Sequence, residues 1–89
     1  YTSLEGEKQT LSPRMLNIFR ECVKSVNYAN NLIIVKTMSG SGASAGMFID
    51  SMQSEEILGC VAGDDAVLVI VDSNENTPAI AEKLKSYLN

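Results

Sequence analysis

Three carboxylates in this chain stand where their charge is conspicuous: Asp64 and Asp65, adjacent after Gly63, and Asp50, set among Ala43, Gly46 and Met47. Neighbouring carboxylates repel one another unless a cation comes between them. Taken alone, Gly63-Asp64-Asp65 reads as a solvated hairpin turn, for which Gly and Asp are ordinary residues. Asp50 alters that reading. At helical spacing Ala43, Gly46, Met47 and Asp50 share one face, away from Phe48 and Met52, so a carboxylate stands among small and apolar groups where an interface would form. The stretch Ser39-Gly40-Ser41-Gly42 leads into this helix, and backbone N–H groups at a helix start hold carboxylates well. Three carboxylates and a row of N–H donors suit a molecule with two positive groups and one carboxylate, the charge pattern of a basic amino acid. A divalent cation is the rival occupant, though the spaced acidic ladder of a calcium loop is missing.

Other chemistries find less support. Gly42-Ala43-Ser44-Ala45-Gly46 matches the G-x-S-x-G nucleophile elbow, but the 89 residues contain no His, so nothing activates Ser44. The absence of His also removes Ser-His and Cys-His nucleophiles and the His-based zinc sites, and neither a catalytic nor a metal-ligand set is expected. The Gly-rich turn lacks the Lys-Ser or Lys-Thr pair of a phosphate-binding loop. Cys22 and Cys60 sit in apolar stretches without redox or metal spacing, so both are expected as buried free thiols in a reducing compartment, the cytoplasm. The longest apolar run, residues 66–71, is far too short to cross a bilayer, and no membrane partner is expected. With 7 Lys plus Arg against 11 Asp plus Glu the chain is acidic. From residue 31 onward it holds three lysines against eight acidic residues, so it should not bind DNA by itself.

The elements that must position these residues follow from periodicity and turn chemistry. Residues 1–12 are polar and without apolar period, a linker. Ser12-Pro13 starts a short helix on which Met15, Ile18, Phe19 and Cys22 keep three-and-four spacing. From about residue 21 the composition becomes strand-like, Asn30-Asn31 offers a tight turn, and Leu32-Ile33-Ile34-Val35 completes a hairpin. A helix to about Gln53 follows the Gly-rich loop, with Ala45, Phe48, Ile49 and Met52 on its apolar face. Strands over 56–62 and 66–72 flank Gly63-Asp64-Asp65, and Thr77-Pro78 caps a last helix carrying Ile80, Leu84 and Leu88. The fold expected is α+β: a four-stranded, mostly antiparallel sheet with two helices on one face, in the order ββαββα, plus the short N-terminal helix. Residues 32–35, 57–62 and 66–71 do not alternate apolar with polar, as a sheet wetted on one side would. Both faces therefore need cover, the helices supply it for one, and the other is expected to meet another copy or another domain.

Several stretches also look like a known family. Asn31-Leu32-Ile33-Ile34-Val35-Lys36-Thr37, Ile49-Asp50-Ser51-Met52 and above all Ile57-Leu58-Gly59-Cys60-Val61-Ala62-Gly63-Asp64-Asp65-Ala66-Val67-Leu68 resemble the C-terminal domain of the bacterial arginine repressors, over roughly residues 12–89. Tyr1-Thr2-Ser3-Leu4 is similar to the end of the wing of the DNA-binding domain that precedes it in the family. The resemblance implies that residues 1–12 link to an N-terminal winged-helix domain, which would carry all operator DNA contact, and that 13–89 form the oligomerisation and arginine-binding domain. It implies trimers that pair into hexamers, with L-arginine as corepressor at the seam between trimers and no other cofactor, in a regulator of arginine metabolism rather than an enzyme. By the same resemblance Asp64 takes the guanidinium across the seam with Asp65 beside it, Asp50 takes the α-amino end, and the backbone near Ala62 lines the pocket. The family's loop usually reads Pro-Gly-x-x-Gln where this chain reads Ser39-Gly40-Ser41-Gly42-Ala43. Either the amides at the helix start, at Ala43 and Ser44, with the Ser41 or Ser44 hydroxyl, replace the Gln, or arginine sensing is weakened or altered; both outcomes are equally allowed. The alternative is a different amino-acid-sensing or purely oligomerising module of another regulator.

Overall fold

In the computed structural model, which describes residues 12–88, the first helix begins as its residues dictate. The Ser12 hydroxyl accepts a hydrogen bond from the Met15 amide, and Pro13, whose missing N–H costs nothing at a helix start, opens α1 (Pro13–Cys22). The helix keeps its form through Cys22 and passes without a loop into β1 (Val23–Ala29), whose first residue is already extended. The shift to strand expected at about residue 21 is therefore delayed, because Phe19 and Cys22 both bury their side chains from the helix. Asn30, with φ +56°, makes the turn into β2 (Leu32–Thr37). Asn31 needs no positive φ; its side-chain amide donates to the Val71 carbonyl at 3.3 Å.

The second helix, α2 (Gly42–Ser51), stops two residues short of the expected end, because Gln53 takes φ +52° and its amide turns back to the Asp50 carbonyl. β3 (Ile57–Ala62) and β4 (Ala66–Val71) form the second hairpin, and α3 (Thr77–Ser86) closes the described chain. Thr77-Pro78 lies inside α3 rather than capping it. Asn76 is the cap residue, its amide held by the Ser73 hydroxyl, and Thr77 Oγ1 donates to the Ser73 carbonyl at 2.8 Å.

The strands run antiparallel throughout in the order β1-β2-β4-β3, so the two hairpins meet through β2 and β4. Pairing of Val26 with Val35 and of Val35 with Val67 puts these side chains on one face, and with Ile33, Val69 and Val71 they form the buried layer beneath the helices. α2 lies over β3 and β4, α3 over β1 and β2, and α1 packs against α2. Phe19 of α1 stacks on Phe48 of α2 at 4.4 Å between ring centres, and Tyr87 meets Phe48 edge-on at 5.4 Å, tying the three helices together. The expected order and layering are what the structure has. The opposite face is uncovered: the register that pairs Ile34 with Leu68 and Leu68 with Val61 makes a row of apolar side chains there, with Leu32 paired to Ile70 beside it. Val61 is 62% exposed, and Tyr28, Leu32, Ile34 and Leu68 border a shallow groove of about 350 Å³ on this side of the molecule.

Candidate functional site

The chemistry gathers around the β3–β4 turn. Residues 63–65 join Ala62 to Ala66, the Gly63 amide donating to the Ala66 carbonyl at 2.7 Å. The turn is not free in solvent as an ordinary hairpin turn is. Both the Gly40 and the Gly42 amides donate to the Asp64 carbonyl at 3.0 Å, and the Thr37 amide donates to the Asp65 carbonyl at 2.8 Å. Ser39 Oγ adds a hydrogen bond to Asp64 Oδ2 at 3.0 Å. The end of β2, the loop over 38–42 and the start of α2 are thus tied to the acidic turn by four hydrogen bonds. Two glycines make this approach feasible. Gly40 has φ +83°, and a Cβ on Gly42 would run into the Gly63 carbonyl oxygen.

In the first turn of α2, Gly42 and Ala45 are buried and Ala43 and Ser44 face outward. Ser41 occupies the cap position without a side-chain hydrogen bond to the helix, and the Gly42 amide is taken by Asp64. A helix geometry leaves the next amides, those of Ala43 and Ser44, without carbonyl partners in the helix itself, and both residues are exposed.

Asp50 lies two turns further along, roughly 10 Å from Ala43 by helical rise. There α2 presses on β3: a Cβ on Gly46 would come within 3.3 Å of the Ala62 Cβ. The Cys60 thiol donates to Asp50 Oδ1 at 3.4 Å and also approaches the Gly46 carbonyl at 3.8 Å. Burial, the thiol's hydrogen bond to Asp50 and the charge of that carboxylate together push the Cys60 thiol up to about 11. Asp50 also borders a shallow, half-apolar cavity of about 110 Å³ with Ile49, Gln53, Ser54, Ile57 and Leu58.

The structure brings the predicted residues together in two groups. The Asp64 carbonyl is bonded to Gly40 and to Gly42 at the start of α2, one residue before Ala43 and two before Ser44, with Asp65 next to it in the turn, while Ala62 meets the middle of α2 at Gly46, one turn from Asp50. The helix face expected to carry Ala43, Gly46, Met47 and Asp50 is divided: Gly46 and Asp50 lie toward β3, whereas Met47 is 64% exposed beside Met15 and Ile18 of α1. Among the described residues no group of three or more acidic or thiol side chains could hold a metal ion, so Asp50, Asp64 and Asp65 form no such cluster within one chain. Cys60, expected to be buried, is only half covered, because β3 is an edge strand; Cys22 is buried. Ser39 and Cys60 are the two polar neighbours that sequence reasoning passed over. Ser39 gave no signal because its partner lies 25 positions away, whereas Cys60 alternates with Ala62 on the strand face toward α2 and was open to that inference. Among the described residues no helix is long and apolar enough to cross a membrane.

Comparison with known proteins gives the family. The family model "Arginine repressor, C-terminal domain" matches residues 19–86. Among curated proteins the chain is 33% identical over 88 residues to the arginine repressor of Alkaliphilus oremlandii, covering 99% of this chain and 59% of that protein. It is 38% identical over 88 residues to the one from Clostridium tetani, covering 99% and 58%. It is 35% identical over 89 residues to the one from Clostridium acetobutylicum, covering 100% and 59%. The chain therefore spans less than two thirds of the length of these relatives.

Proposed function

Because this chain belongs to the arginine repressor family, as its C-terminal domain, we propose that it is the effector-binding and assembly domain of an arginine-responsive regulator of arginine metabolism, acting in the cytoplasm. L-Arginine is the ligand and corepressor, bound where two trimers meet. Contact with operator DNA belongs to a winged-helix domain outside residues 13–89; the linker assigned to residues 1–12 lies, but for Ser12, outside the described residues.

The observation that carries this reading is the bonding of the Asp64-Asp65 turn to the start of α2. It sets a carboxylate pair beside a helix N-terminus on an exposed edge, opposite charges presented side by side to a ligand that carries both. In this assignment Asp64 receives the guanidinium of an arginine held mainly by a facing subunit, with Asp65 adding negative potential. Asp50 receives the α-amino group, the Ala43 and Ser44 amides receive the carboxylate, and the backbone at Ala62 forms the pocket floor. Two groups of residues that stay apart within one chain become one pocket when a second chain supplies the other half. The ligand then binds paired trimers better than separated ones, and by linkage it favours the hexamer. The trimer itself is held by the open apolar face and needs no ligand.

Sedimentation of the chain alone and with L-arginine, L-lysine or calcium tests this. Arginine is expected to shift trimers to hexamers and the other two to change nothing; an assembly indifferent to arginine overturns the reading in favour of a purely oligomerising module, and a shift by lysine points to a different amino-acid sensor. Charge-assisted hydrogen bonds contribute about 1.5–3 kcal/mol each. Asp64→Asn is therefore expected to weaken arginine binding in calorimetry by about a hundredfold or more, with trimers intact.

A further inference from the structure

Each of the two carboxylates assigned to the ligand's positive groups has one side-chain donor of its own. Asp64 Oδ2 accepts from the Ser39 hydroxyl at 3.0 Å, and Asp50 Oδ1 accepts from the Cys60 thiol at 3.4 Å. Both aspartates are exposed, so neither is fixed by packing. Their backbones are already set, that of Asp64 by the Gly40 and Gly42 amides and that of Asp50 by α2. What is left free is the side-chain torsions, and one hydrogen bond to one oxygen restricts these while leaving the carboxylate's other lone pairs for a ligand.

We propose that Ser39 and Cys60 are positioning residues, the Ser39 hydroxyl orienting the Asp64 carboxylate for the guanidinium end of the ligand and the Cys60 thiol orienting the Asp50 carboxylate for the α-amino end. The inference rests on the arginine reading above and adds how each end of the site is preorganised, so that less side-chain freedom is lost when the ligand binds. The two donors sit on different elements, the loop over 38–42 and β3, so each end is set independently. A thiol suits the second position because partial burial under α2 keeps it protonated through the physiological range, and it stays a donor rather than becoming a second anion beside Asp50.

Calorimetry with two ligands separates the ends: L-arginine, and 5-guanidinopentanoate, which keeps the guanidinium and carboxylate but lacks the α-amino group. Ser39→Ala is expected to weaken both ligands by about three- to tenfold, the size of one modest hydrogen bond. Cys60→Ala is expected to weaken arginine by a similar factor and to leave 5-guanidinopentanoate unchanged; Cys60→Ser, which keeps a donor, restores arginine. Equal losses for both ligands in Cys60→Ala, or no loss in either alanine variant, overturn the proposal while the arginine reading stands. Failure of the unmodified chain to bind arginine removes both together. A measurement without ligand guards against misfolded variants: in Asp50→Asn the pH profile of Cys60 alkylation, followed by peptide mass, should move down from about 11 while burial still holds it above the ordinary 9.0. An unmoved profile overturns the Cys60 half.

Discussion

The two faces of this sheet are built from much the same residues and meet opposite surroundings. On one, Val26, Ile33, Val35, Val67, Val69 and Val71 are buried by three helices; on the other, Leu32, Ile34, Val61, Leu68 and Ile70 are exposed or half-covered. Side-chain chemistry alone therefore does not decide burial. What decides it is whether an element of the same chain is available to lie over the face, and here the helices all lie on one side. The contrast teaches where stability and assembly reside. The covered face holds the single chain together, and the open face is a contiguous apolar surface of the kind that marks an interface.

The sharpest way to break this contrast is at the aromatic stack. Phe48→Ala removes the ring that both Phe19 and Tyr87 contact and should cost about 3–5 kcal/mol, a large part of a small domain's total, read as a lowered denaturant midpoint. Next in size is Gly42→Ala. Its new methyl group meets the Gly63 carbonyl, so the loop and the acidic turn must part, with an expected loss of about 1–3 kcal/mol together with weakened arginine binding. On the open face Leu68→Lys should leave the stability of the single chain within about 0.5 kcal/mol at low concentration, yet abolish trimers in sedimentation. If unfolding of the single chain suffers as much from Leu68→Lys as from Phe48→Ala, the two faces are not distinct in the way described.

The smallest effect concerns the margin between the faces, where cover is partial. Cys60 at the edge strand has its thiol raised to about 11 against an ordinary 9.0. The folded chain therefore holds that proton more tightly than the unfolded one, and stability should fall as pH rises from about 9 to about 11. Cys60→Ser should flatten that part of the profile in a denaturation series, and Cys22, also raised by burial, sets what remains. No corresponding loss is expected from either thiol at neutral pH.

Much of this was legible in order along the chain. The Asn30 turn, Ser12-Pro13 and the uninterrupted aliphatic strands carry local rules, and the acidic turn announced itself through Gly63-Asp64-Asp65. The end of α2 was less legible, because Gln53 rather than a glycine takes the positive φ there. The start of α3 was misread at Thr77 because the caps come from Ser73 and Asn76, upstream of the proline signal. The candidate site was half legible: the carboxylates proposed for it stand out by charge, but the side chains bonded to them do not, since the Ser39–Asp64 hydrogen bond spans 25 positions and leaves no periodic trace.

By itself, then, the sequence determined the element types, the α+β class and the presence of more aliphatic surface than three short helices can cover, since these depend on residue chemistry and spacing within a few turns or strand steps. The tertiary structure alone decided the strand order β1-β2-β4-β3, the bonding of the acidic turn to the Gly40–Gly42 amides, the separation of Asp50 from Asp64 and the company each keeps. Those follow from which distant segments close-pack and share hydrogen bonds, a choice made by the free energy of the whole chain, to which no local pattern is a guide.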